Sequence, residues 1–293
     1  MINRLVGVLV LTLVLVIAMA MVYANTNKAH AASIVFSLVK ATKAVTDAPK
    51  KKVAVLTLDD EWIGQYQYGL PILKKNGFNA TWFVTCRGPI ELHPDFVRGK
   101  SNEITSWNEL KQIHADGFDL QNHGMTHHSL VDQPASILEQ EIVDSKRCFE
   151  QNLGFTPTIF APASAKPENN ATIDGLMDKT GYEFARNGYC AAGFDNGRFD
   201  LTTMSMNDLD RKFEHNPIAI LPQFASEVAK AELPVLVYHN INNLNATESN
   251  WQNSTTTPET FAAEMKWLKQ NGYEVHSIRD LTWDANEEVF RFK

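Results

Sequence analysis

The chain has 293 residues, with 27 basic side chains against 34 acidic ones and a formal charge of −7. That balance argues against a nucleic-acid binder, which would normally show a basic patch, and it offers no general attraction for acidic polymers. Three cysteines allow at most one internal disulfide, and their spacing does not say which two pair.

Arg4 opens the chain's first feature, a run of 19 uncharged residues from Leu5 to Tyr23, with small-residue cleavage candidates at Val22-Tyr23-Ala24 and Ala29-His30-Ala31. The run is longer than an ordinary signal-peptide core and close to the length that spans a bilayer, so residues 1–32 read as a signal peptide or an N-terminal membrane anchor. Residues 33–52, ending in Ala48-Pro49-Lys50-Lys51-Lys52, read as a spacer. Residues 53–293 are then expected outside the cell, either released or tethered to the outer face of the membrane through residues 5–23. This stretch of about 240 residues is enough for one single-core domain.

Strands are predicted near 53–58, 79–84, 118–122, 157–161, 183–187, 201–205 and 234–239. Helices are predicted near 65–76, 107–116, 135–152, 171–180 and 207–230. Pro258 starts another helix at the favoured first-turn position, with Phe261, Met265 and Leu268 on one face, and 273–278 reads as a last strand. Alternation of this kind predicts a parallel sheet covered by helices.

Five polar residues fall at the ends of these strands. Asp59 and Asp60 close the apolar run Val53 to Leu58, His123 and His127 follow the second candidate Phe118 to Gln121, and His239 closes Pro234 to Tyr238. Barrel enzymes keep their chemistry at the carboxyl ends of strands. Asp60, His123 and His127 would offer one oxygen and two nitrogens to a divalent metal and leave positions open for water and substrate. Zinc suits this donor set best, and cobalt, nickel or iron also fit. Each piece alone has a blander reading, as a polar loop, a helix cap or a hydrogen-bonded structural histidine. Their shared position after apolar runs is what joins them.

These segments resemble the polysaccharide deacetylases of carbohydrate esterase family four, the nodulation-protein-type deacetylase domain. Thr57-Leu58-Asp59-Asp60 is similar to the family's first motif, Asn122-His123-Gly124-Met125-Thr126-His127 to its second and Leu236-Val237-Tyr238-His239 to its last. The likeness continues through Leu70 to Val84, Thr105 to Leu110, Pro258 to Phe261 and Trp267 to Tyr273, and so covers most of residues 53–282. The resemblance implies a distorted, incomplete (β/α) barrel of about seven parallel strands. It implies a metal held by Asp60, His123 and His127, with Asp59 as the base that takes a proton from the attacking water. His239 would be the acid that protonates the leaving nitrogen. The expected substrate is an N-acetylated polysaccharide or oligosaccharide, from which the enzyme removes acetyl groups by hydrolysis.

The chain also departs from that pattern. Thr158-Ile159-Phe160-Ala161-Pro162-Ala163-Ser164, at the place of the third motif, lacks the arginine that pairs with the catalytic aspartate. Arg186 is a candidate replacement, with a solvated strand-end charge as the equal alternative. Glu61 stands where the family usually has glycine, so it either reshapes the loop or adds a carboxylate near the metal. Phe194 to Leu201 is the only candidate for the aromatic wall of the fourth motif, and Trp62 is read equally as sugar groove or barrel packing. These departures keep two alternatives open: a non-catalytic glycan-binding protein on the same fold, and a hydrolase of another acyl or amide substrate.

Overall fold

The computed structural model describes residues 51–164, 170–189, 197–246 and 252–293. The export segment at 1–32 and all of the spacer except Lys51 and Lys52 lie outside these residues, as does Cys190. The described chain alternates strand and helix. In order these are β1 (Lys52–Asp59), α1 (Leu70–Asn76), β2 (Thr81–Val84), α2 (Trp107–Ala115), β3 (Asp119–Asn122), α3 (Ala135–Glu139), α4 (Ser145–Leu153), β4 (Ile159–Phe160) and α5 (Ala171–Thr180). They continue with β5 (Phe184–Tyr189), β6 (Leu201–Ser205), α6 (Met206–Lys212), α7 (Pro217–Lys230), β7 (Val235–Tyr238), the short β8 (Asn240–Ile241) and β9 (Thr255–Thr256), α8 (Pro258–Gln270), β10 (Tyr273–His276), β11 (Leu281–Asp284) and β12 (Val289–Phe292).

Strands β1 to β7 are hydrogen-bonded in sequence order, all parallel, and β7 returns to β1 with Leu58 opposite Tyr238. The barrel therefore has the seven strands expected, one fewer than a full eight-stranded barrel. Its distortion shows at β4, where Asn122 opposite Phe160 is the single registered pair with β3, and between β5 and β6, where the register shifts between Arg186 and Tyr189. At the start of the barrel β10 wedges between two neighbours: it pairs with Lys52 to Val55 of β1, while Asn79 N–H, just ahead of β2, donates to Val275 O at 3.4 Å.

The pleat of β1 explains where its carboxylate goes. Ala54, Leu56 and Leu58 pack outward against Leu73, Phe261 and Met265 of the helical layer. Val55 packs inward with Phe83, Ile159, Phe184, Leu201 and Val235. Because side chains alternate along a strand, Thr57 and Asp59 share the inward face with Val55. Ile278, Leu281 and Phe290 join this inner cluster beside the strand starts Val53, Phe184 and Leu233, so the β11–β12 hairpin plugs the amino end of the barrel. The strand ends at the opposite mouth are left to the polar residues.

Two expectations are corrected. The stretch 207–230 is two helices, broken at 213–216 where Glu214 and His215 take positive φ (53° and 57°). Asn216 then caps α7 by accepting from Ile218 N–H and Ala219 N–H, with Pro217 in its first turn. A cap-proline pair is a strong start signal, and it outweighs the continuous apolar periodicity. The last parallel strand ends at His276, and a C-terminal hairpin of two four-residue strands, Leu281–Asp284 and Val289–Phe292, follows it.

Outside the barrel ring, beneath α8, the Tyr238 hydroxyl donates to Glu264 Oε2 at 2.7 Å, and both residues are buried. Burial pushes the Glu264 carboxyl well above its usual range; the hydrogen bond from Tyr238 opposes this, and the nearby Asp210 adds to it. The folded chain thus holds this proton to higher pH than the unfolded chain does. Its contribution to stability is complete below the unfolded value of about 4.3 and is lost as pH rises toward the folded value. Glu264→Gln keeps an acceptor for Tyr238 and has no proton to lose. Its melting temperature, followed by circular dichroism, should fall less between pH 5 and pH 8 than that of the parent chain.

Candidate metal centre

Three of the predicted residues meet at the carboxyl mouth of the barrel. Ligand atoms of Asp60, His123 and His127 lie within 4.8 Å of one another. Asp60 Oδ1 is 3.2 Å from His123 Nε2 and 3.1 Å from His127 Nε2. Asp60 sits just past β1 at φ 69° and His127 also at φ 69°, backbone conformations that side-chain-bearing residues seldom adopt. Such strain is characteristic of functional sites.

The imidazole of His123 is oriented from behind. Its Nδ1 lies 2.7 Å from Ala161 O, which must be met by an N–H, so Nε2 is left to face Asp60 with a lone pair. Asp60 Oδ1, although buried, has no assigned hydrogen-bond partner among the described residues. A buried carboxylate oxygen beside imidazole nitrogens, with no donor to satisfy it, is the arrangement a cation stabilises. The donor set of one oxygen and two nitrogens fits a divalent transition metal such as zinc. Burial alone would raise the Asp60 carboxyl, but His127, His123 and His239 together hold it well below the usual range. Burial likewise pushes His123 down, and the carboxylates of Asp59 and Asp60 outweigh it to raise the imidazole overall.

The loop carrying the two histidines is fixed by buried polar side chains. Glu141 accepts from Met125 N–H (2.8 Å), Thr126 N–H (3.2 Å) and Thr126 Oγ1–H (2.7 Å). Asn122 Oδ1 accepts from Gly124 N–H while its amide donates to Ser145 Oγ and Tyr182 Oη. Gly124, at φ 98°, is required on two counts: a Cβ there would come within 2.5 Å of Glu141 Oε2, in a conformation that L-residues avoid.

Asp59 and His239 flank this group. Asp59 Oδ2 is 3.9 Å from His123 Nε2 and accepts from Arg186 Nη2 at 2.5 Å, while Asp59 Oδ1 is buried without a partner among the described residues. Arg186 therefore is not a solvated charge. It is buried on β5, its guanidinium lying 4.7 Å from the centre of the Phe83 ring and paired with Asp59. The arginine absent from the third-motif stretch is supplied by the next strand of the barrel. His239 follows the last residue of β7, next to β1 in the ring. Gln65 ties the two ends together, donating to Asp59 O (2.5 Å) and His239 O (2.8 Å). Asn207 Oδ1 accepts from His239 N–H and lies 2.9 Å from His239 Nδ1, and the Asn207 amide is anchored on Ser254 O and Thr256 Oγ1. This fixes Nδ1 as the donor and leaves Nε2 for chemistry.

Two sequence-level alternatives are decided here. Glu61 takes φ 44° and turns its carboxylate away from the metal ligands to accept from Thr85 N–H and Oγ1–H and to pair with Arg98 Nη2 at 2.5 Å. Arg98 spreads its remaining donors over the carbonyls of Cys86, Thr85 and Thr105 and lies 4.6 Å from the centre of the Trp107 ring. Glu61 is thus a loop anchor. Trp62 is buried against Phe96 and Ile104 and points its indole N–H at Asp60 Oδ2 (3.4 Å), so it packs and supports the ligand and does not line a groove. Phe199, in the stretch read as a fourth-motif equivalent, is buried with Phe160 and Tyr182, while residues 190–196 lie outside the described chain. Arg186, Asn207 and Glu141 had no spacing signal, since each acts from a different strand or helix.

Comparison with known proteins bears on the family and the fold. The family model described as polysaccharide deacetylase matches residues 46–185. A curated relative, the putative polysaccharide deacetylase YxkH of Bacillus subtilis, is 26% identical over 135 residues, which cover 46% of this chain and 44% of that protein. The match thus spans less than half the length of the curated relative. Among solved structures, a CE4 family pseudoenzyme from Bacillus anthracis superposes with a TM-score of 0.51 at 18% identity, covering 79% of this chain and 66% of that one. A mutant of the peptidoglycan deacetylase PdaC from Bacillus subtilis superposes with a TM-score of 0.50 at 17% identity, covering 78% of this chain and 89% of that one.

The Arg186 pair can be tested without any assay of activity. Arg186→Leu leaves the buried Asp59 carboxylate unpaired and should cost about 3 kcal/mol of stability in urea denaturation. Adding Asp59→Asn to it should recover part of that loss, because the two residues are coupled. Additive effects in the double variant would mean that the pair contributes nothing.

Proposed function

We propose that this chain, which belongs to the polysaccharide deacetylase family, is a metal-dependent hydrolase that removes N-acetyl groups from an extracellular or cell-surface polysaccharide. The observation that carries the reading is the convergence of Asp60 Oδ1, buried and without an assigned donor among the described residues, with two imidazole nitrogens at 3.1–3.2 Å. A divalent cation bound by Asp60, His123 and His127 would polarise the amide carbonyl and acidify water at the site. Zinc is the best match to these donors, with cobalt, nickel or iron as alternatives.

The remaining work belongs to the chain's own groups. Asp59, held in place by Arg186, has its free Oδ1 available to take a proton from the attacking water. His239 delivers a proton to the amine nitrogen as the tetrahedral intermediate collapses, through the Nε2 that Asn207 leaves free. A carboxylate and an imidazole are the natural pair for these two transfers near neutral pH. Export of the domain, from the character of residues 1–32, is part of the same proposal. The Cys86–Cys148 disulfide supports it, because such bonds persist in oxidising compartments.

Acetate release from N-acetylglucosamine oligomers tests the reading directly. Chelation should abolish it and zinc should restore it. Asp59→Asn should lower kcat by at least about 10²-fold, as expected for loss of a general base, with zinc still bound by elemental analysis. A non-catalytic glycan binder on the same fold is the second reading; one structure of similar fold, from Bacillus anthracis, is a pseudoenzyme. Oligomer binding without acetate release from zinc-loaded protein would decide for it.

Asn207 provides a separate test of His239 as the acid. A carboxylate beside Nδ1 favours the imidazolium, so Asn207→Asp should move the alkaline limb of the pH–kcat profile upward. An unmoved limb would remove His239 from the proton transfer.

A further inference from the structure

The disulfide between Cys86 and Cys148 lies outside the catalytic group, yet it joins the two bodies that hold the histidine loop. The first body is the segment after β2. Val84 O accepts from His123 N–H (2.8 Å), Cys86 N–H donates to Gly124 O (2.9 Å), Arg87 N–H to Met125 O (2.9 Å) and Glu91 N–H to Thr126 O (3.1 Å). Residues 123–126 are therefore laced to 84–91 along their whole length.

The second body is the continuous helical stretch formed by Gln140–Asp144 and α4. Glu141 lies in the π-helical turn Gln140–Asp144, and Ser145 and Cys148 lie in α4; their contacts turn all three toward the loop and its clamp. Glu141 takes the amides of Met125 and Thr126, Ser145 accepts from Asn122 immediately before His123, and Cys148 is bonded to Cys86. The helical stretch thus touches the loop through two side chains and its opposite clamp through the third.

We propose that the Cys86–Cys148 bond is a brace for the metal-binding loop, closing the two clamps around residues 122–127 and so setting the affinity of the site for its cation. This rests on the metal reading above but assigns a role to residues outside it. Without the bond the fold keeps its strands, its inner core and the Glu61–Arg98 pair. The separation between the 84–91 segment and the helix is then held only by the hydrogen bonds that pass through the loop itself. Glu141 can follow the helix and leave the amides of Met125 and Thr126, and the two imidazoles lose their common focus. Groups that orient metal ligands typically change affinity by 10–100-fold when removed.

The test compares the oxidised full chain with the Cys86→Ala/Cys148→Ala double variant and with the parent chain reduced by a phosphine. In that reduction the S–S bond accepts two electrons and two protons, and the phosphine takes the oxygen of water to become its oxide. Zinc affinity is read by competition with a chromophoric chelator. Backbone hydrogen exchange is read in the metal-free state. The expected result is at least a tenfold larger zinc dissociation constant in both forms, with native far-UV circular dichroism and faster exchange confined to Gly124, Met125 and Thr126. Unchanged zinc affinity together with unchanged exchange in either folded form overturns the brace. Global unfolding in both forms also overturns it, by making the bond a staple of the whole domain. If zinc fails to bind even the oxidised parent, the metal reading falls instead, and the exchange rates at 124–126 alone decide the brace.

Discussion

Two imidazole nitrogens within hydrogen-bonding distance of a buried carboxylate oxygen, Asp60 Oδ1, that has no assigned donor among the described residues form an arrangement that a bound cation favours. Desolvation penalises the Asp60 charge, and the His123 proton that might relieve it is committed to Ala161 O on the far side of the ring. The rest of the mouth is organised around sustaining this arrangement. Asp60, Glu61 and His127 all adopt positive φ, Gly124 leaves space that only a missing side chain can provide, and Glu141 absorbs the amides that the tight histidine loop exposes. Local conformational cost is offset by buried hydrogen bonds that extend well beyond the ligands.

The polar residues around the centre act in layers, each linked to a different barrel strand. Arg186 from β5 neutralises Asp59 at the end of β1. Asn207 at the start of α6 fixes the tautomer of His239 after β7, and Gln65 joins the backbones of the first and last strands of the ring. Glu61 and Arg98 anchor the loops beside them through a buried pair with almost every donor used. Such pairs add little net stability but are costly to break from one side. Their effect is to hold a unique geometry at the mouth, while the aliphatic and aromatic side chains of β1 to β7 and the C-terminal hairpin supply the core below.

A family pattern can survive the loss of one of its expected residues when topology offers another route to the same point. The segment Thr158 to Ser164 lacks an arginine, yet the guanidinium reaches Asp59 from the neighbouring strand, because inward-facing residues of adjacent strands in a narrow barrel converge on one axis. Glu61 shows the converse. An acid placed directly after two functional carboxylates suggests a further ligand, but at φ 44° its side chain leaves in another direction, toward Thr85 and Arg98. Neighbours in sequence were separated, and residues 127 positions apart were paired.

Read alone, the amino-acid order determined the alternation of strands and helices and the placement of Asp59, Asp60, His123, His127 and His239 at strand ends, since these follow from short-range periodicity and from where apolar runs stop; the barrel of seven strands came from the family resemblance. It also showed that a donor set for a divalent metal was present. Only the tertiary structure decided that Arg186 is buried against Asp59, that Asn207 holds His239, that Cys86 pairs with Cys148 and that Trp62 packs behind a ligand. Each of these contacts joins segments whose separation or side-chain direction is fixed by barrel closure and loop conformation, which no local pattern encodes.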